Sequence, residues 1–200
     1  MKLYFARGTC SLSPHIVAEE AGIALEYERV DIKTHRTASG ADFHAISPKG
    51  YVPALLLDDG TLLSEGPAIV QYLADLKPEA GLLPPVGDVA RYRVIEWLSF
   101  VNSEMHKSFS PLFDPAALAE VKAESRAKLA KHFAFAGAAL GDQSYLTGET
   151  FTVADAYFFV MTSWSIFQKI EVPRNVADFR TRVTARPAVH RALKAEGLTA

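Results

Sequence analysis

The residue in this 200-residue chain best suited to covalent chemistry is Cys10, its one cysteine. It stands at the entry to a helix-forming stretch, Ser11-Leu12-Ser13-Pro14-His15. Unpaired amides and the helix dipole at such a position favour a thiolate. A dithiol redox site would place its second cysteine three residues on, where this chain has Ser13. A Cys-x-x-Ser string closes no internal disulfide, but it can form a mixed disulfide with an outside thiol. The competing reading of a lone cysteine is a small buried hydrophobe, and the string by itself favours neither. One cysteine excludes a disulfide framework and multi-cysteine zinc or iron–sulfur sites. It suits a reducing compartment.

Three more places carry candidate chemistry. Val52-Pro53 leads into an apolar run, and proline is tolerated at the first residue of a strand. A cis bond there would mark a tight turn and offer the Val52 amide and carbonyl to a peptide-like ligand. Glu65-Gly66 opens a helix whose first amides form an anion site. Glu65 either caps that helix or holds a ligand ammonium. His106 ends a helix expected over 88–107, and the spacing puts Ser99 and Ser103 on its face. Its imidazole can act as acid, base or donor to a thiolate, although a lone helical histidine is more often a plain surface or helix-end residue.

The remaining motifs point to folding. His15, His35, His44, His132 and His190 show no paired metal spacing, so no metal is expected. No P-loop or Gly-x-Gly-x-x-Gly occurs. Phe109, Phe113, Trp164 and Phe167 read mainly as core, with a minority lining an apolar pocket. Thr152-Val153-Ala154-Asp155 has the form of a capping box, which starts a helix and catalyses nothing.

The elements that must position these residues fall into two groups. The first part of the chain reads as a strand over 2–6 and a helix over 13–22, with Ser13 as cap and Pro14 in its first turn. A strand over 25–30, a polar loop over 33–40 and a helical turn near 42–46 follow. Two short strands then flank Asp58-Asp59-Gly60, and a helix covers 66–76. This β-α-β then β-β-α order is a thioredoxin-like arrangement, with helices on the faces of one sheet. Residues 79–87 are rich in Gly and Pro and read as a linker. Beyond them lie helices over 88–107, 118–140, 152–168, 176–184 and 187–195. The expected fold class is therefore α/β plus all-α: a thioredoxin-like domain over 1–78 and an all-helical domain over 88–200.

Lys and Arg number 21 against 23 Asp and Glu, a net charge of −2. So balanced a chain has no global field to hold a polyanion, which argues against nucleic acid or an anionic membrane surface. Its longest apolar runs are far too short to span a bilayer, and its first ten residues lack a signal-peptide core. A soluble cytoplasmic protein is expected.

Taken together, the strings resemble the cytosolic glutathione S-transferases, and most closely their bacterial beta class. The resemblance rests on Cys10-Ser11-Leu12-Ser13-Pro14-His15, Ser47-Pro48-Lys49-Gly50 and Val52-Pro53-Ala54-Leu55. It continues through Asp58-Asp59-Gly60, the run from Glu65 to Asp75, Glu104-Met105-His106-Lys107 and Phe151-Thr152-Val153-Ala154-Asp155-Ala156. It spans essentially the whole chain. The resemblance implies a homodimer that takes glutathione as co-substrate. Cys10 then matches the cysteine facing the glutathione sulfur, and Val52, before cis Pro53, the position that pairs with the glutathione backbone. Glu65 and Gly66 match the γ-glutamyl contacts, and Ser103, Glu104, His106 and Lys107 match helix positions around the site. His35 stands where the pattern often has Lys, and Ser99 where it often has Asn. A neutral His35 forgoes a charge-assisted bond worth about 1.5–3 kcal/mol.

The function so implied is transfer of the glutathione thiolate to a small hydrophobic electrophile, in detoxification. His106 and helix-end amides would stabilise the thiolate, and Phe5, Phe109, Phe113 and Trp164 would line the electrophile pocket. Glutathione-dependent thiol exchange through Cys10 is a second outcome. The rivals are a non-catalytic module of the same fold, used for binding or assembly, and a glutaredoxin-like reductase or dehalogenase.

Overall fold

Strand β1 (Lys2–Phe5) runs through the middle of a five-stranded mixed sheet ordered β3-β2-β1-β4-β5. In this computed structural model, which describes residues 1–198, β1 pairs parallel with β2 (Glu26–Asp31) and antiparallel with β4 (Ala54–Leu56). The parallel pair needs a crossover, which helix α1 (Leu12–Ala21) supplies. A two-residue strand β3 (Arg36–Thr37) pairs with β2 inside the segment expected as loop. Helix α2 (Phe43–Ile46) comes next. Strand β5 (Leu62–Ser64) closes the hairpin with β4, and helix α3 (Gly66–Leu76) follows.

Strand alternation sorts the β1 side chains onto two faces. Tyr4 goes to one face, with Val30, Phe43 and Ala54. Leu3 and Phe5 go to the other. There α1 packs against α3, with Ile16, Val17, Ile69, Val70 and Leu73 fully buried.

The chain divides into two compact units. Among the described residues, one holds Met1–Leu83 together with 185–198; the other is Pro84–Thr184. The helical domain expected over 88–200 thus differs at its end. Its last helix, α9 (Pro187–Ala195), packs on α1 in the first unit. Arg186 forks onto Glu20 at 2.6 and 2.9 Å, and Arg191 meets Glu19 at 2.6 Å. Periodicity finds the helix, whereas long-range contacts such as these decide where it docks.

The second unit comprises α4 (Val89–Phe100), α5 (Lys107–Phe113), α6 (Ala119–Leu140), α7 (Val153–Phe167) and α8 (Arg174–Thr184). Helix α7 is its core and is buried almost along its length. It starts at the expected capping box. The Asp155 carboxylate accepts from the Thr152 amide and hydroxyl, both at 2.8 Å, and from the Leu146 amide at 2.9 Å. The helix expected over 88–107 is not α-helical throughout, and it runs on to Phe113. Residues Val101–His106 wind as a π-helix between α4 and α5. No helix among the described residues is long and apolar enough to cross a membrane.

Candidate functional site

The first unit concentrates its chemistry at the entry to α1. That helix begins at Leu12, earlier than expected, and Ser11 occupies the cap position. Ser13 is therefore not the cap; it lies inside the first turn, fully buried. The Ser13 hydroxyl donates to the Cys10 carbonyl at 3.1 Å, so it ties down the backbone of Cys10. Ser11 makes no side-chain cap bond; its hydroxyl instead donates to the Ala6 carbonyl and accepts from the Ala6 amide, both at 3.1 Å. The turn 6–11 is thus pinned at its base, with Cys10 partly exposed above it.

Cys10 Sγ donates to the Val52 carbonyl at 3.4 Å, and the Val52–Pro53 bond is cis. Two separate sequence signals therefore meet at one place. A thiol at a helix start lies against the backbone edge leading into β4, where an extended peptide can pair.

Glu65 sits at φ 72° immediately before α3 and makes no side-chain cap bond. Its carboxylate instead takes the Lys49 ammonium at 2.8 Å, and Lys49 also reaches the Ser64 hydroxyl at 3.1 Å. Gly66 opens the helix, but Pro67 brings no amide, and the Ala68 and Ile69 amides bond the Glu65 carbonyl. The anion site expected from a full turn of amides is correspondingly narrow at Gly66, with Lys49 supplying positive charge beside it. Lys49 was legible only as part of a turn string. Nothing in its spacing from Glu65 announces the pair.

His35 adopts φ 51° and packs against His44, with ring centroids 4.2 Å apart and the rings tilted by 38°. Both rings lie over Gly50, where a Cβ would fall 2.5 Å from His44 Cε1 and 3.2 Å from His35 Cε1. His35 Nδ1 is buried, with no hydrogen-bond partner among the described residues. His44, read as unremarkable in the sequence, is thus part of the His35 environment.

In the second unit the π-helical stretch sets the geometry. A wider turn breaks the 3.6-residue register, so Ser99, Ser103 and His106 do not form the single face expected. Ser99 is exposed and bonds back to the Ile95 carbonyl at 2.8 Å, and exposed Ser103 donates to Glu104 at 3.1 Å. Lys107 is exposed too. His106 points inward, its Nδ1 2.6 Å from the Tyr157 hydroxyl. That hydroxyl donates to Asn102 Oδ1 at 3.0 Å. Since its proton goes to Asn102, it accepts from His106 Nδ1–H. The neutral imidazole then carries its lone pair on Nε2, the tautomer of a base acting through that nitrogen. Asn102 and Tyr157 were missed in the sequence. The four-residue step from Asn102 to His106 was a visible hint, whereas Tyr157 is hidden in the apolar run of α7.

Trp164 packs edge-on against His106 at 5.1 Å and against Phe113 at 5.1 Å. Phe113 is 43% exposed and stacks at 6.1 Å on Phe167, which is 74% exposed. These rings form an aromatic surface running outward from His106. Two expected pocket residues do not belong to it. Phe109 has no exposed surface and supports Trp164 from behind. Phe5 is buried in the first unit against His15 and Tyr27. Both are core because their neighbours cover them on all sides. No cluster of three or more metal-ligating side chains occurs among the described residues.

Comparison with known proteins gives one consistent result. The family model described as glutathione S-transferase, N-terminal domain, matches residues 8–76. The corresponding C-terminal domain model matches residues 100–187. The chain is 46% identical to glutathione S-transferase GstA of Escherichia coli O157:H7, over 99% of this chain and 100% of that one. It is 34% identical to glutathione S-transferase GST-4.5 of Xanthomonas campestris, over 99% and 100% of the two chains. Among solved structures, a ternary complex of BphK, a bacterial GST, superposes with TM-score 0.96 at 48% identity, covering 99% and 100%. A sphingomonad glutathione S-transferase complexed with glutathione superposes with TM-score 0.93 at 41% identity, covering both chains fully.

Proposed function

The chain belongs to the glutathione S-transferase family, and from that premise we propose that it conjugates the glutathione thiolate to small hydrophobic electrophiles. The observation that carries the reading is the 3.4 Å contact of Cys10 Sγ with the Val52 carbonyl, at the cis Val52–Pro53 bond. It puts a thiol beside a backbone edge able to pair with a peptide. Glutathione is a peptide with a thiol and two carboxylates, and it matches this edge in extended form. Lys49, Glu65 and Gly66 are the groups for its γ-glutamyl end, and His35 for its glycyl end. The glutathione thiolate is the nucleophile, and within the second unit His106 is the group with the chemistry of a base. Trp164 and Phe113 are the surface for the electrophile.

Cys10 also permits a second outcome. Its thiolate can attack oxidised glutathione, forming a Cys10–glutathione disulfide and releasing one reduced glutathione. Homodimeric assembly, a cytoplasmic setting and a detoxifying role belong to the same proposal. A non-catalytic module would have no use for the ordered Asn102–Tyr157–His106 chain.

A panel of electrophiles run with wild type and Cys10→Ala, with glutathione binding followed by calorimetry, tests this. Conjugation by wild type is expected. No binding at millimolar glutathione would sink the proposal. Mass spectrometry after exposure to oxidised glutathione tests the exchange branch, and an unmodified Cys10 rejects it.

A further inference from the structure

Beyond the residues that face the proposed glutathione site, the first unit holds a buried carboxylate that stability alone does not explain. Glu196 follows the last turn of α9 and is 4% exposed. A carboxylate at a helix C-terminus opposes the dipole, and burying it is costly unless it is well partnered. The docking of α9 has other supports, its buried Ala188, Val189, Ala192 and Leu193 and the Arg186–Glu20 and Arg191–Glu19 pairs. The partners of Glu196 lie elsewhere. Oε2 accepts from the Gly8 amide at 2.9 Å, and Oε1 meets His15 Nδ1 at 3.1 Å. One residue further on, the Gly197 carbonyl accepts from the Arg7 guanidinium.

Both ends of this contact bear on Cys10. Gly8 lies two residues before it, at φ 67°. His15 lies five residues after it, buried and stacked at 4.1 Å on Tyr27. His15 Nε2 has no hydrogen-bond partner among the described residues. An unpartnered lone pair costs less there than an unpartnered N–H, so the proton sits on Nδ1 and is donated to Glu196. The carboxylate is therefore an acceptor on both sides, gripping the turn before Cys10 and the helix after it.

We propose that Glu196 is a positioning residue, which fixes the Arg7–Cys10 turn through the Gly8 amide and so sets where the Cys10 thiol and its neighbouring backbone meet glutathione. The role rests on the glutathione reading for its substrate, but the grip on Cys10 is independent of it. Glu196→Asp keeps the charge and withdraws the oxygen by one methylene. Glu196→Gln gives up the charge and keeps an oxygen opposite Gly8.

The test compares the full chain with Glu196→Asp, Glu196→Gln and Glu196→Ala, each held well below its own melting temperature. The first readout is the rate of Cys10 alkylation by iodoacetamide at one pH. The second is KM against kcat for glutathione with 1-chloro-2,4-dinitrobenzene. In Glu196→Asp the loosened turn should let Sγ leave the Val52 carbonyl, and alkylation should quicken at least threefold. KM for glutathione should rise at least fivefold, with kcat within twofold. Glu196→Gln should recover most of both values. Wild-type alkylation in Glu196→Asp overturns the proposal whatever its melting temperature, as does a Glu196→Gln no better than Glu196→Asp. Should Glu196→Ala fail to fold, the other two variants decide the matter. Should wild type not use glutathione, the functional proposal fails alone, and the alkylation arm still judges Glu196.

Discussion

The Tyr157 hydroxyl lies 2.6 Å from His106 Nδ1 and fixes which nitrogen of that imidazole holds the proton. Tyr157 is 1% exposed, so Tyr157→Phe should fold with a loss of about 1 kcal/mol for the missing hydrogen bond. The imidazole then loses the acceptor that holds its tautomer. We expect kcat for conjugation to fall about tenfold, equal to about 1.4 kcal/mol of lost transition-state stabilisation. An unchanged kcat in the purified variant would remove Tyr157 from the mechanism.

Asp155 makes a prediction about pH. Burial pushes its carboxyl up from 3.8 to about 6 against the pull of its three hydrogen bonds. The folded chain therefore binds this proton at pH values where the unfolded chain has released it. Stability from this group is fully present below about pH 4 and declines as pH rises through 6, by roughly 3 kcal/mol in all. Asp155→Asn has no such proton. The stability difference between wild type and Asp155→Asn, from urea unfolding at pH 4 to 7, should shift against wild type over that span. A flat difference would contradict the assignment.

Gly50 carries the third prediction. It has φ 67°, and a Cβ would enter the His44 ring. Gly50→Ala should cost roughly 1–3 kcal/mol, seen as a lowered melting temperature. The His35–His44 pair must open to admit the methyl group, so NMR shifts of both imidazoles should move together. A shift confined to His44 would mean that the rings are not held as a pair.

Lys49 and Phe167 separate the two substrates. Lys49→Met should raise KM for glutathione several-fold, by about 1 kcal/mol of lost charge-assisted binding, and leave KM for an aromatic electrophile alone. Phe167→Ala removes an exposed ring and should change stability by under about 0.5 kcal/mol, while raising KM for the aromatic electrophile. Steady-state kinetics with each substrate varied in turn distinguishes them. The reverse pattern would exchange the roles assigned to the two surfaces.

Much of this was readable in the sequence, for identifiable reasons. The hairpin at Asp58-Asp59-Gly60, the start of α7 at Thr152 and the stop of α1 at Gly22 depend on a few adjacent residues, and local chemistry decides them. The start of α1 is not decided by residue type, because Ser13 is a good cap by type yet lies inside the first turn, and the hydroxyls of Ser11 and Ser13 go to Ala6 and Cys10 rather than to the helix amides. Cys10, Val52, Glu65 and His106 stood out because their types are reactive or their strings are short and marked. Lys49, Asn102 and Tyr157 did not, because each matters through a partner distant in the chain or hidden in an ordinary helix. Phe5 and Phe109 looked like pocket residues by type, whereas burial is settled by tertiary packing.

The π-helical stretch Val101–His106 has a last consequence, for the length of the chain. Its turn holds one more residue than an α-helical turn. Deleting one residue from it would let the backbone revert to an α-helix and leave everything downstream nearly in phase, so His106 would keep its direction toward the Tyr157 hydroxyl. The same deletion in α4, where no extra residue is stored, would turn His106 by about 100° about the axis. The segment is a store of one residue, so a deletion inside it should be tolerated by the chemistry far better than one in α4.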